Sequence, residues 1–287
     1  MTFNPCCQDD IVKAAETIKE LVQFPEEPQV GLVCGSGFSA VVEILRDAQI
    51  VKFVDIPDFP VGSVQGHETN FVFGYLDNIY VCVQQGRLHP YEFNMNTALC
   101  AATIRVMAAL GVTRLILTNA TGAINMNYRT NDFMLIREQI FLPGLAGHSP
   151  LLGITDVRMG IRFVPIAGAY DTGVNRALME FAKTKEIKVH EGVYVMQGGP
   201  EYESMAELNF LRQIGADCVG MSVCHEAIVA KQKEMRLIGL SMITNDLHDK
   251  SKSGSNLKHS DVLEAGNKSK DSAKQLLSKA IHLMMEH

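Results

Sequence analysis

Apolar and polar positions change between helical and strand spacing from one segment of the chain to the next. Residues 9–23 place apolar side chains three or four positions apart, which predicts an amphipathic helix. Residues 30–34, 114–118 and 236–243 are short, continuous apolar runs, typical of strands buried on both faces of a sheet. The same criteria predict further elements: strands at 51–54, 70–75, 79–83, 133–140 and 192–196, and helices at 39–46, 101–110, 173–184, 203–215, 225–232 and 260–285.

Predicted strands and helices alternate through the whole chain. This order favours an α/β protein with a central mixed β-sheet flanked by helices on both faces. The chain has no internal repeat, no low-complexity block and no linker-like stretch. We therefore expect a single domain over residues 1–287, in which residues 1–25 form an N-terminal helix and tail.

Composition narrows the kind of partner. Of the 287 residues, 47% are hydrophobic and 20% are charged, and the net charge is −6 at pH 7. The acidic balance argues against nucleic acid or an anionic membrane surface as the main partner. No apolar run approaches the about 20 residues that cross a bilayer. A small-molecule partner therefore fits the composition best.

The cysteines point to a reducing compartment. The chain has seven, an odd number, and none forms a C-x-x-C pair. No Cys/His cluster has metal-ligand spacing, so we expect no metal. The N-terminus does not resemble a signal peptide. We expect a cytoplasmic protein with free thiols.

The segment 84–92 (QQGRLHPYE) carries the densest candidate chemistry, because it follows a predicted strand and holds several ligand-type side chains. In α/β proteins, ligands bind where strands open into loops. The guanidinium of Arg87 offers planar, bidentate recognition of an oxyanion such as phosphate. His89 could donate to the same anion, and Tyr91 offers an aromatic face and a hydroxyl. The alternative is an ordinary loop with a surface salt bridge.

The segment 35–40 (GSGFSA) lies between a predicted strand and a predicted helix. Such a turn lets backbone amides approach an anion at the helix N-terminus. It also matches the G-x-G-x-x-A dinucleotide fingerprint, and Asp55 follows about 20 residues on. Alone, the segment favours a nicotinamide or flavin enzyme, and a tight turn without a ligand is the plain alternative.

Five further segments place polar or aromatic side chains where predicted strands end or loops begin. Glu203 follows a Gly-Gly-Pro turn and stands beside Tyr202, an arrangement that suits a heterocyclic base whose N–H groups the carboxylate accepts. Singly, these segments are also explained by helix capping or by exposed loops. The segments and residues are 65–68 with His67, 118–123, 198–204, 219–222, and 241–245, together with the separate residue His259.

Together, these motifs resemble the trimeric, low-molecular-weight purine nucleoside phosphorylases. The resemblance runs from Val30 to the C-terminal helix, with the motifs in the family's order. It implies reversible phosphorolysis of inosine and guanosine to free base and (deoxy)ribose 1-phosphate, a homotrimer, and no cofactor besides the co-substrate phosphate. It displaces the dinucleotide interpretation, because the family uses the same glycine turn for phosphate. The related methylthioadenosine enzymes carry Asp where this chain has Asn245.

The resemblance also implies roles for individual residues. The implied phosphate contacts are Ser36, His67, Arg87, His89, the backbone N–H of Ala120, and Ser222. The implied ribose contacts are Tyr91, Tyr194 behind the ring, Met221 and His259. The implied base contacts are Thr121, Tyr202, Glu203, Thr244 and Asn245. Catalysis would depend chiefly on Asn245, Glu203, His89 and His259.

Several positions depart from the family's usual pattern. They are Pro90, Phe93, Thr121, Val223–His225 and Asp246. Met159 also stands where the family carries an aromatic residue that closes a neighbouring subunit's site, so either Met159 or Phe163 could take that role. An added hydroxyl at Thr121 or an added ring at His225 predicts a base preference altered towards adenosine or cytidine. A methylthioadenosine-type phosphorylase and a catalytically weak nucleoside-binding paralogue are the alternatives.

Overall fold

A computed structural model describes residues 3–64, 67–247, 264–266 and 268–286. Its centre is a nine-stranded mixed sheet with the order β2-β3-β4-β1-β5-β8-β7-β6-β9. The strands are β1 (Val30–Cys34), β2 (Arg46–Lys52), β3 (Asn70–Leu76), β4 (Ile79–Gln85), β5 (Arg114–Ala123), β6 (Phe133–Phe141), β7 (Val189–Met196), β8 (Cys218–Gly220) and β9 (Arg236–Asp246). Strand β9 also pairs with β5, so β5 to β9 close into a ring.

Helices cover both faces of the sheet. They are α1 (Gln8–Leu21), α2 (Thr97–Cys100), α3 (Ala102–Ala109), α4 (Leu142–Leu145), α5 (Thr172–Thr184), α6 (Met205–Gln213), α7 (Cys224–Gln232) and α8 (Lys270–Met285). One large core joins the sheet to α1, α3 and α7, and a second joins it to α5 and α8. Alternate residues of β1 serve the two cores, since Leu32 lies in one and Val33 in the other. This confirms the predicted α/β class. Within the described ranges, no helix combines the length and apolar character of a membrane span.

Several predicted boundaries were wrong where pairing across the sheet decides the structure. Strand β5 continues to Ala123, beyond the predicted end at residue 118, because its last residues pair with β8 and β9. Strand β8 was missed because it has only three residues. The predicted helix at 39–46 is a 3-10 helix that ends at Ile44, and Arg46 already begins β2. Of the predicted helix at 260–285, the regular part described is α8.

The sheet brings several loops to one edge. Strands β1, β4, β5 and β9 run parallel, so their carboxyl ends lie on the same side. Strand β8 runs antiparallel to the end of β5 and leads back towards this edge. The last residues of these strands, together with the segments that follow them, carry most of the residues expected to bind a ligand.

Candidate active site

A cavity of about 390 Å³ opens at this edge of the sheet. Its wall contains nearly all the residues predicted to bind phosphate, ribose and base. They are Ser36, His67, Arg87, His89, Tyr91, Ala120, Thr121, Tyr202, Glu203, Met221, Ser222, Thr244 and Asn245. The residues come from strand ends and loops that are far apart in sequence, so their convergence is a property of the fold.

Arg87 is the buried cation of the cavity, with only 1% of its surface exposed. Its Nε and Nη2 donate to the two carboxylate oxygens of Glu226 at 2.9 and 3.0 Å, and Nη1 donates to the carbonyl of Thr118 at 2.7 Å. The fork formed by Nε and Nη2 is thus bound to Glu226, and the contact of Arg87 to phosphate stays a prediction. A guanidinium has five N–H donors. Among the described residues, one N–H on each terminal nitrogen therefore remains for a ligand.

Two imidazoles stand beside Arg87. Nδ1 of His67 lies 2.6 Å from the backbone nitrogen of Arg87 and 3.2 Å from its carbonyl oxygen, and Nε2 faces Ser36 Oγ at 3.1 Å. Burial, with help from His89 and Arg87, lowers the pKa of His67 to about 3. His67 is therefore neutral at pH 7 and acts as a hydrogen-bond partner, without charge.

His89 is held by Glu92. The Glu92 carboxylate accepts from the backbone N–H of His89 at 2.8 Å and lies 3.3 Å from its Nδ1. Burial lowers the pKa of His89, and Glu92 acts in the opposite direction. With Nδ1–H directed to Glu92, Nε2 is the ring atom left for a ligand. It accepts when the ring is neutral and donates when a bound dianion raises the ring's pKa.

The predicted ribose contacts separate into three groups. Tyr91 and Met221 line the cavity, and the Tyr91 ring stacks on His89 with centroids 5.0 Å apart. Tyr194 is fully buried behind the wall, where its hydroxyl lies 3.4 Å from the backbone nitrogen of Ser222. A Cβ on Gly220 would come within 2.5 Å of that hydroxyl, so glycine is required there. His259 lies outside the described residues.

The end of the cavity away from Arg87 contains a carboxylate, Glu203, and an amide, Asn245. Glu203 is partly buried, and burial raises the pKa of its carboxyl. The hydroxyl of Thr244 donates to Oδ1 of Asn245 at 2.9 Å, which leaves the Nδ2 of Asn245 as a donor. Tyr202 is half-exposed and also lines the cavity. This end can therefore accept from a ring N–H, donate to a carbonyl oxygen and cover an aromatic ring.

Comparisons with known proteins agree with this geometry. Residues 29–282 match the family model of the phosphorylase superfamily. The purine nucleoside phosphorylase of Mus musculus is 39% identical, over 94% of this chain and 93% of its own length. The solved structure of Schistosoma mansoni purine nucleoside phosphorylase with inosine has a TM-score of 0.89 at 33% identity, covering 98% and 97% of the two chains. Isoform 2 from the same organism, solved with cytosine and ribose-1-phosphate, has a TM-score of 0.90 at 32% identity and covers 99% of each chain.

The chain belongs to the purine nucleoside phosphorylase family. The resemblance and the enzyme class inferred from the sequence, a pentosyltransferase, are thereby confirmed. In this phosphorylase, a Cβ on Gly35 would meet Nη1 of Arg87 at 2.4 Å, so the close approach at the glycine turn serves Arg87. The turn leads into a 3-10 helix of six residues, unlike the long helix of a dinucleotide site.

Two of the residues that depart from the family pattern, Thr121 and His225, were expected to change the base pocket, and the structure places their polar groups elsewhere. The Thr121 hydroxyl donates to the carbonyl of Val219 at 2.7 Å, so its proton is used within the wall. His225 is fully buried in α7 and does not line the cavity. Burial lowers the pKa of His225 to about 4. Neither side chain thus offers a free donor to the base.

The two candidates for closing a neighbouring site also differ. Met159 is 0% exposed and packs in the core of its own chain, whereas Phe163 is 88% exposed. Of the two, Phe163 has the side chain that can reach a second subunit.

Two contacts of this phosphorylase were missed by sequence reasoning. Glu226 binds Arg87, and the Nε2 of Gln197 donates to Oε1 of Glu203 at 2.7 Å. The signal for Glu226 was a carboxylate directly before the apolar run 227–230 of a predicted helix, because a buried carboxylate needs a cation. Gln197 follows β7 without any such signal. In the described part of the chain, no group of three His, Cys, Asp or Glu side chains could hold a metal ion.

Proposed function

We propose that the protein catalyses the reversible phosphorolysis of purine ribonucleosides and deoxyribonucleosides, with inosine and guanosine as the leading substrates. The observation that carries the proposal is a single cavity that joins an anion end, built on Arg87, to a base end with Glu203 and Asn245. The products are the free base and (deoxy)ribose 1-phosphate. Inorganic phosphate is the co-substrate, and the proposal includes no cofactor and no metal.

The anion end binds phosphate and fixes its direction of attack. Arg87 is immobilised by Glu226, so its two remaining N–H groups are positioned before phosphate arrives. Preorganised donors of this kind are the usual source of electrostatic stabilisation in a transition state. The other proposed phosphate contacts are Ser36, His67, His89, the backbone N–H of Ala120, and Ser222.

The reaction proceeds by stretching of the N-glycosidic bond. The ribosyl centre gains positive charge, and phosphate attacks its C1′ from the face opposite the base. The phosphate dianion stabilises that charge by proximity and electrostatics. Tyr91 and Met221 hold the sugar in this proposal, with Tyr194 behind them, and His259 joins them by resemblance.

The base end stabilises the departing purine. Glu203 accepts the N1–H group, and Asn245 accepts from N7–H and donates to O6, so that the base leaves protonated at N7. Thr244 supports this arrangement because its hydroxyl already occupies one lone pair of the Asn245 carbonyl. Tyr202 covers the ring. Thr121 lines the cavity beside the base, but its hydroxyl proton is already donated to the carbonyl of Val219.

The same geometry ranks the bases. The Nδ2 group of Asn245 suits the O6 of hypoxanthine and guanine, whereas the amino groups of adenine and cytosine need an acceptor there. Isoform 2 of the Schistosoma mansoni enzyme was solved with cytosine, which makes cytidine a relevant comparison substrate. We therefore expect higher activity on inosine and guanosine than on adenosine and cytidine. The same residue, Asn245, argues against a methylthioadenosine enzyme.

The proposal extends to assembly and compartment. We propose a homotrimer of one-domain chains in which the exposed Phe163 closes the cavity of a neighbouring subunit. The described cysteines are all free thiols, which supports a cytoplasmic site of action.

The test is base release from inosine with and without phosphate, with guanosine, adenosine, cytidine and methylthioadenosine in parallel. The expected result is strictly phosphate-dependent formation of hypoxanthine and ribose 1-phosphate. Preference for methylthioadenosine would show the related phosphorylase activity. Saturable binding of nucleosides by a folded protein without turnover of any of them would show a binding paralogue and overturn the proposal.

A further inference from the structure

Gln197 links the sheet to the base end of the cavity. It directly follows β7, and its backbone N–H donates to the carbonyl of Gly220 at 2.9 Å, which ties its position to β8. Its side-chain nitrogen Nε2 donates to Oε1 of Glu203 at 2.7 Å and to the backbone carbonyl of Glu201 at 3.0 Å. A single amide nitrogen therefore spans the loop that carries the proposed base contacts.

The two neighbours of this amide determine which way it faces. Both are oxygen acceptors, so both hydrogens of Nε2 are used. Turning the amide would place its carbonyl oxygen against the carbonyl of Glu201 and against a Glu203 oxygen. Gln197 is thus built to donate to Glu203. A hydrogen bond donated to a carboxylate favours the ionised form.

The surroundings of Glu203 act in the opposite direction. Burial raises the pKa of this carboxyl, its own backbone N–H lowers it by a smaller effect, and Glu207 raises it further. An ionised Glu203 can only accept, which suits the N1–H of a 6-oxopurine. A protonated Glu203 can donate, which suits the bare ring nitrogen of adenine or cytosine.

We propose that Gln197 is a positioning residue that holds Glu203 as an ionised acceptor and so selects bases with a ring N–H over bases with a bare ring nitrogen. The inference rests on the proposed function and names the residue behind its base preference. Gln197 acts through Glu203 and does not line the cavity itself.

The test uses Gln197→Leu, which removes the donor, and Gln197→Glu, which keeps the shape but places a second carboxyl beside Glu203. Gln275→Leu and Gln275→Glu on the exposed side of α8 make the same changes away from the cavity. The kinetic constants kcat and KM for inosine and adenosine are measured at saturating phosphate from pH 5 to 9. Thermal unfolding of each variant is recorded in parallel, and Gln197→Glu keeps the test valid if Gln197→Leu does not fold.

Gln197→Leu is expected to lower kcat/KM for inosine about tenfold or more, because a hydrogen bond to a charged group is lost. Since the ionised form accepts N1–H, inosine activity falls as the pH drops through the pKa of Glu203. Without the Gln197 donor, the inosine activity falls at a higher pH. In Gln197→Glu it falls at a higher pH still, because the second carboxyl disfavours the ionised form of Glu203. The ratio of adenosine to inosine activity rises in both variants and rises most at low pH.

An equal loss on both substrates, with the pH dependence unchanged, would assign Gln197 a purely structural role and overturn the inference. Variants indistinguishable from the Gln275 controls would overturn it as well. Both outcomes leave phosphate-dependent cleavage by the unmodified protein intact. Absence of that cleavage in the unmodified protein would instead refute the proposed function, so the two failures can be told apart.

Discussion

The Arg87–Glu226 ion pair provides the most direct test of how the anion end is held. Both side chains are buried, at 1% and 0% exposure, and two hydrogen bonds of 2.9 and 3.0 Å join them. Glu226→Gln keeps the shape but removes the negative charge and turns one oxygen acceptor into a donor. The buried guanidinium is then left without its counter-charge. Breaking such a pair typically costs about 3–5 kcal/mol, so we expect the free energy of unfolding to fall by about 3 kcal/mol.

The loss should extend to phosphate. Without Glu226, the plane of the guanidinium is no longer fixed towards the cavity, and one charge-assisted contact to phosphate is weakened. Such a contact is worth about 2 kcal/mol. At about 1.36 kcal/mol for each factor of ten, kcat/KM for phosphate should fall about 30-fold. The nucleoside KM should change much less, because Glu203 and Asn245 are untouched.

Two measurements check this reasoning: denaturant unfolding, and steady-state rates with phosphate varied. Glu180→Gln is the matched control, because Glu180 and its partner Lys183 are both exposed. This change should lower the free energy of unfolding by less than about 1 kcal/mol. The double variant Arg87→Met with Glu226→Leu should regain most of the stability while phosphate-dependent turnover stays lost. If Glu226→Gln matched the control in stability and kept the phosphate kcat/KM, the assigned role of Glu226 would be refuted.

Single side chains elsewhere in the chain give three further tests. The pKa of His225 is about 4 in the folded chain and about 6.5 in the unfolded chain, so the free energy of unfolding falls as the pH drops through this window. Between pH 7 and 4.5, the unmodified protein should lose about 2 kcal/mol more of this free energy than His225→Leu does, as measured by denaturant titration. Equal losses in the two proteins would contradict this prediction. Phe163→Ala should raise the nucleoside KM without changing the melting temperature, whereas Met159→Ala should lower the free energy of unfolding by about 2–5 kcal/mol; the reverse pattern would exclude Phe163 as the closing residue. Asn245→Asp removes the donor to O6, so the ratio of kcat/KM for adenosine to kcat/KM for inosine should rise. An unchanged ratio would show that the 6-substituent of the purine does not contact Asn245.

The fold class and most of the residues that line the cavity could be predicted from the amino-acid pattern. Continuous apolar runs such as Val30–Cys34 indicated strands buried on both faces, because such strands have no polar side to show to water. The alternation with amphipathic segments such as α1 then favoured helices over the sheet. Motif residues such as Arg87 and Glu203 were found because each follows a predicted strand or turn, and their chemistry is visible in the residue type.

The tertiary structure decided how the site residues are paired. Glu226 is 139 positions from Arg87, and no local pattern relates them. The same is true of β8, whose three residues form a strand only because β5 and β7 offer their edges. Gln197 gains its contact to Glu203 through the path of the loop between them, which depends on how β7 and β8 are placed.

Spacing and residue type report on local structure, because local backbone geometry decides which side chains share a face. They carry much less information about which distant groups meet. Arg87 was expected to bind phosphate, and the fold adds a buried partner, Glu226, that takes up the N–H groups of Nε and Nη2. His225 was expected near the base, and packing buries it in α7. Partners across the sheet are set by strand order and register, and these depend on the packing of the whole chain.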